Sequence, residues 1–219
     1  MSQKRKSELK GKFIITKAGL QMGFEEYEIG CTADGVQVKT YTEISYHGKP
    51  AIQNCELLLD ENLDTRKLCV TGETKFGKGI YTFEVDQSEA HIFVDQKSKT
   101  GTRKDVKVDR SIIWDTRCLV IPSCNSFFPF LYTSRKYGYD KKGKQYVACG
   151  IIPKVLFQMD YLGEEACELD NQRVLCQRSH IISSRGLKAV IWSNYEKMFL
   201  KFGLPEETFM VEPDNMHLN

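Results

Sequence analysis

Val36-Gln-Val-Lys-Thr-Tyr-Thr-Glu-Ile-Ser-Tyr46 changes side-chain character at nearly every step, and its period decides how the rest of the chain is read. Successive side chains of a strand point to opposite faces, so Val36, Val38, Thr40, Thr42, Ile44 and Tyr46 share one face. Gln37, Lys39, Glu43 and Ser45 share the other with Tyr41. A sheet with one buried face and one wet face fits this pattern. The same period returns in Ile80–Asp86, where Tyr81, Phe83 and Val85 oppose Thr82, Glu84 and Asp86. It returns again in Val155–Tyr161, which aligns Val155, Phe157, Met159 and Tyr161.

Turn chemistry separates these runs at short intervals. Ala33-Asp-Gly35, His47-Gly-Lys-Pro50, Asp60-Glu-Asn62, Phe76-Gly-Lys-Gly79, Asp86-Gln-Ser-Glu89, Lys99-Thr-Gly101, Leu162-Gly-Glu164, Asp170-Asn-Gln172 and Ser184-Arg-Gly186 each combine residues that reverse a strand. Gly and Asn tolerate positive φ, and Asp and Ser bond to nearby backbone. Parallel pairing needs long crossover segments, and the spacing leaves no room for them. Hairpin after hairpin is expected, with a last one formed by Leu187–Trp192 and Met198–Leu204 around Ser193-Asn-Tyr-Glu196.

One segment breaks the series. In Ile121-Pro-Ser-Cys-Asn-Ser-Phe-Phe-Pro-Phe-Leu-Tyr-Thr-Ser-Arg-Lys-Tyr137, Ser123 or Asn125 is placed to cap a helix and Pro129 is tolerated only near its first turn. The spacing predicts a short helix over 126–137, within an insertion near 123–137, with Phe127, Phe130, Leu131 and Ser134 on one face. The fold class expected is therefore mainly β: a single antiparallel sheet curved into a half-barrel or open barrel that wraps one short helix. Residues 1–12 read as a basic flexible head, 13–204 as the domain and 205–219 as a tail.

At 219 residues the chain is long enough for a sizeable core. Its formal net charge of +2 does not suggest a chain built as a whole for nucleic acid. The start has the charged end of a secretory signal without the apolar run that should follow, and no segment approaches the roughly 18 consecutive apolar residues of a membrane span. A cytoplasmic location is expected. The eight cysteines then default to thiols. If Asn171-Gln172 forms a two-residue turn, Cys167 faces Cys176 directly across the ladder, and a shift of the turn by one residue removes that pairing.

The order of elements resembles bacterial β half-barrel proteins of uncharacterised function. The resemblance lies in seven or eight antiparallel strands, a short helix ending in Arg135-Lys-Tyr137, the turn Tyr139-Asp-Lys-Lys-Gly-Lys-Gln145, the strand Val147–Pro153 and a second series closing with Leu187–Leu204. These proteins are similar in fold to lipoprotein carriers and to a small violacein-pathway enzyme. The resemblance implies a curved sheet around a helix, with a lipid or another apolar molecule in the groove between them. It implies no catalytic residue, since one scaffold hosts unrelated chemistries.

Read for chemistry, the residues give little. Ser123-Cys124-Asn125 at a helix start is the best placed nucleophile, because a helix N-terminus lowers a thiol pKa, but the same residues are an ordinary capping sequence. No cofactor motif is present and no cofactor or metal is expected. On Arg173–Ile181, Val174, Cys176, Arg178 and His180 share a face that is either solvated or the polar wall of a cavity. Glu25, Glu26 and Glu28 read as outer-face charges. The basic runs Lys4–Lys12 and Lys97–Lys107 allow at most weak contact with an anionic surface. A hydrophobic small molecule is the expected partner, with its pocket lined by Trp114, Phe127, Phe130, Leu131, Phe157, Met159, Tyr161 and Trp192. Arg135 is the expected anchor for a carboxylate or phosphate head, and Arg178 and His180 complete the set. An enzyme acting by substrate enclosure and an interaction module using a sheet edge are the alternatives.

Overall fold

The computed structural model describes residues 9–33, 35–46, 48–74, 77–86, 89–101, 104–113, 118–120, 128, 132, 144–149, 155–169, 172–183, 186, 188–196, 198–204 and 209–214. Its strands are β1 (Leu9–Lys17), β2 (Leu20–Thr32), β3 (Gly35–Tyr46), β4 (Lys49–Leu59), β5 (Thr65–Thr74), β6 (Gly77–Asp86), β7 (Glu89–Ser98) and β8 (Val106–Ile113). They continue as β9 (Cys118–Val120), β10 (Lys144–Cys149), β11 (Val155–Leu169), β12 (Gln172–Ser183), β13 (Lys188–Ser193), β14 (Phe199–Leu204) and β15 (Phe209–Pro213). All belong to one sheet, ordered β8-β7-β6-β5-β4-β3-β2-β1-β15-β14-β13-β12-β11-β10-β9.

Chain neighbours are sheet neighbours almost throughout, as the short turns require. The exceptions are β1, which pairs with β15 in the middle of the sheet, and β8 and β9, which end it on either side. Every pairing is antiparallel except β9 with β10. β9 nevertheless touches β5, eleven places away in the order. In a flat sheet those strands would lie about 50 Å apart at the usual strand spacing. The sheet is therefore rolled, and it is not closed.

The inner face carries the core. Val38, Thr40, Thr42 and Ile44 are buried on β3, whereas Lys39 is exposed. One apolar cluster runs from Phe13 and Ile15 through Leu57, Leu68, Phe83 and Ile92 and returns through Met159, Ile181, Ile191, Phe202 and Val211. The outer face is a charge ladder. Lys10, Glu28, Lys39 and Glu56 stand in one row across β1–β4, and Lys12 and Glu26 meet in the next. Lys10 lies 3.3 Å from Glu28 and Lys12 3.5 Å from Glu26, so these cations of the basic head are matched within the sheet.

Three boundaries differ from the sequence reading. The expected head contributes residues 9–12 to β1, and the expected tail contributes β15. Val211 shows why: it is fully buried, at Ile15 on one side and Phe202 on the other, so the last strand fills the seam between the two halves. The expected turn at Leu162-Gly-Glu164 is a β-bulge inside β11, where Gly163 takes φ +118° and the ladder steps from Tyr161 to Gly163. Phe128 and Tyr132 have helical backbone and are buried in the core. Spaced four apart, they share a helical face set off from the expected Phe127–Leu131 face. The remainder of 121–143 lies outside the described residues.

Candidate functional site

The concave face brings aromatic rings and buried polar groups together. At its centre Phe13, Tyr27, Phe128, Tyr132 and Phe199 form one aromatic cluster. Tyr27 stacks on Phe128 at 4.0 Å between centroids, and Phe13 lies 5.2 Å from Tyr27 and 4.9 Å from Phe199. Gly11 makes this possible, because a Cβ there would fall 2.4 Å from the Tyr27 ring. Burial raises the Tyr27 phenol above its usual pKa, keeping it a neutral hydroxyl.

Beside the rings lies a carboxylate. Glu25 is fully buried, and the backbone N–H of Phe128 donates to both of its oxygens at 3.3 and 3.2 Å. The outer-face reading of Glu25 is corrected by strand parity: Glu25, Tyr27 and Ile29 point inward, Glu26 and Glu28 outward. Glu25 stands opposite Thr42, Thr42 opposite Gln53, and Gln53 opposite Gly72. This row is a buried polar seam crossing β2–β5. The Thr42 hydroxyl is fully enclosed and has no hydrogen-bond partner among the described residues.

A second polar station lies on the opposite wall. Gln177 and Ser193 form a cross-strand pair on the inner face of β12 and β13, next to the buried Ser179, which faces Tyr161. The Gln177 carbonyl oxygen and the Ser193 hydroxyl are buried without hydrogen-bond partners among the described residues. Glu164 faces Gln177, and its carboxylate accepts a 2.6 Å hydrogen bond from the Tyr195 hydroxyl at the β13–β14 turn. That bond, with some burial and the nearby Tyr161, raises the Tyr195 pKa.

Of the residues expected to line a pocket, Met159 and Tyr161 lie on this concave wall, Met159 fully buried beside Ile181. Phe157 precedes them on β11 at the register of Ser183. Trp192, Arg178 and His180 lie on the other face, because they alternate with the inward Ile191, Ser179 and Ile181. They are therefore not part of the concave wall. On the outside Trp192 and Arg178 do meet, with the Glu165 carboxylate 3.2 Å from both the Trp192 indole N–H and the Arg178 guanidinium. Arg178 and Lys201 sit over the Trp192 ring at 5.9 and 5.4 Å. His180 stands one pair along, opposite Asp160 and Val190. Trp114, Phe127, Phe130, Leu131, Arg135 and the Ser123-Cys124-Asn125 segment lie outside the described residues.

Trp192 also covers a small outer cluster of Cys167, Leu169, Cys176 and Leu200. The hairpin closes between Leu169 and Gln172, one residue earlier than the Asn171-Gln172 turn, so Cys167 faces Val174 and Cys176 faces Glu165. The two cysteines are diagonal neighbours and both are free thiols. Two hollows of about 620 and 560 Å³ open on the sheet, and their walls include the charged outer residues Lys10, Glu28, Lys39, Glu73 and Lys78. Among the described residues no group of three metal-ligating side chains gathers, and no helix is long and apolar enough to cross a membrane.

These features define an open β-barrel-like sheet whose rolled interior combines an aromatic centre with two polar stations. No family model matches the chain, and no curated protein matches it in sequence. Among solved structures it is similar to the crystal structure of a DUF1089 family protein from Pseudomonas aeruginosa, with 13% identity and a TM-score of 0.45 over 82% of this chain and 90% of that one.

Proposed function

We propose that the protein binds an apolar or amphipathic small molecule against the concave face of its rolled sheet. The observation that carries this reading is three buried polar atoms, Thr42 Oγ1, Gln177 Oε1 and Ser193 Oγ, that have no hydrogen-bond partner among the described residues and lie on two walls of the inner face that also holds the aromatic cluster. Leaving a buried polar atom unpaired costs about 1–3 kcal/mol, and such atoms are rare in native interiors. A ligand with a few polar groups on an apolar body would pair them and stack on the rings. That combination is the usual lining of a small-molecule site.

Native mass spectrometry of freshly purified protein, followed by organic extraction, tests this. Release of a stoichiometric apolar or amphipathic compound is the expected result. A clean apo mass, together with no thermal shift against lipids and hydrophobic metabolites, would overturn it.

A further inference from the structure

We infer that the outer edge of β8 recognises a second copy of this chain: two β8 strands join antiparallel about a two-fold axis at Val108 and continue the sheet from one molecule into the next. β8 and β9 end the sheet, and among the described residues each pairs with a strand on one side alone. β9 has three residues and β8 has eight, so β8 offers the longer edge. Such an edge is a template for another strand, and a join between identical strands closes as a symmetric dimer.

The charges on that edge select the occupant and its register. Lys107, Asp109 and Ser111 are exposed on the outer face, whereas Val108 lies in the inward row of the buried Val94 and Tyr81. Opposite residues of a sheet point to the same face, so odd positions of one β8 must meet odd positions of the other. With Val108 opposite Val108, each Lys107 meets the Asp109 of the other copy, and the join holds two ion pairs. Moving the axis one residue, to Lys107 or to Asp109, sets like charge against like. An in-register parallel join does the same. Lys107 already stands opposite Asp95 on β7, so it would sit between two carboxylates and extend the kind of charge row that crosses β1–β4. His91 Nε2 lies 2.8 Å from the Asp109 carboxylate and ties it to β7 beside the open edge. A join of about five residues from each copy is small beside the roughly 1,200 Å² of stable complexes, so a weak dimer that dissociates on dilution is expected.

Sedimentation velocity of the full chain from about 5 to about 500 µM tests this, and a dimer that grows across the range is expected. Lys107→Asp and Asp109→Lys each set like charges opposite one another in the join, and each should weaken association about tenfold or more. Both positions are exposed, so both variants should melt close to the parent. Mixed in equal amounts, the two variants should dimerise again, because each supplies the charge that the other has reversed. A parent that stays monomeric over the whole range overturns the inference. So do variants that associate as the parent does, which would place the contact on another surface, and a mixture that stays monomeric, which would remove the register. Where a variant does not fold, hydrogen exchange of the parent decides. Amides of residues 106–110 that point away from β7 should gain protection between the lowest and the highest concentration, and unchanged exchange there overturns the join.

Discussion

Glu25 shows what a single residue can do in a rolled sheet. Its two oxygens are held by the Phe128 N–H, so a side chain on β2 fixes a backbone donor 103 positions further along the chain. Glu25→Ala leaves that donor without an acceptor and opens a void beside the rings, and a loss of about 2–3 kcal/mol in urea unfolding is expected. Glu25→Gln keeps an acceptor and should lose less. Its place was legible from parity with Tyr27 and Ile29, but three glutamates in four residues hide which of them points inward. The cysteines separate in the same way. Burial, then the neighbouring Cys167 thiol, pushes Cys176 up to about 12, and Cys167 is also raised, mainly by burial. Raised thiols stay protonated and weakly nucleophilic below that range. At pH about 8, near the ordinary cysteine pKa, iodoacetamide should modify the exposed Cys31 first and leave Cys167 and Cys176 until the protein is unfolded. Peptide mapping by mass spectrometry reads this directly, and prompt labelling of Cys176 in the folded protein would contradict the burial.

At the scale of elements, turns and bulges hold the register. Between β4 and β5 the Asp60 carboxylate accepts the N–H groups of Asn62 and Asp64, both at 2.9 Å, and pairs with Arg66 at 2.8 Å. Burial raises its pKa, but the two backbone donors and Arg66 outweigh that and hold it below the usual carboxylate range. A depressed pKa in the folded state stabilises at pH above the unfolded value of about 4, and this contribution is lost as pH falls through the folded value. Asp60→Asn should therefore flatten the acid side of the stability–pH curve, measured by urea midpoints at successive pH values. In β11 the bulge at Leu162 depends on Gly163, whose φ of +118° an L side chain rarely adopts although nothing crowds the position. Gly163→Val is expected to cost about 1–3 kcal/mol through backbone strain alone. The hairpin series was readable because alternation and turn residues are local signals. The bulge was misread as a turn because glycine beside a polar residue serves both. The one-residue displacement of the β11–β12 turn was not decided by Asp170-Asn-Gln172, since each dipeptide in it can reverse a strand.

The whole molecule depends on one pairing that no local signal announces. β1–β8 and β9–β15 are each a run of neighbours in the sheet, and they are joined where β1 meets β15, with Phe13 opposite Pro213 and Lys17 opposite Phe209. These partners are about two hundred residues apart, so the pairing closes a very long loop and cannot form until the end of the chain is present. The same distance hides the Thr42 and Gln177–Ser193 stations from the sequence, because they share an interior only after the sheet has rolled. Loss of β15 removes the buried Val211 from between Ile15 and Phe202 and bares two hydrogen-bonding edges in the middle of the sheet. Unpaired edges of that kind invite pairing between molecules. A chain ending after Leu204 should therefore fail to give a cooperative unfolding transition and should aggregate. Val211→Ala in the full chain, which keeps both ladders and removes only core volume, should stay monodisperse and lose about 1–3 kcal/mol. Size-exclusion chromatography and urea unfolding of the pair distinguish the seam from the side chain. A monodisperse, cooperatively folding truncation would show that the two runs of strands hold together without β15, and with it would go the argument that the roll of the sheet is set at its centre.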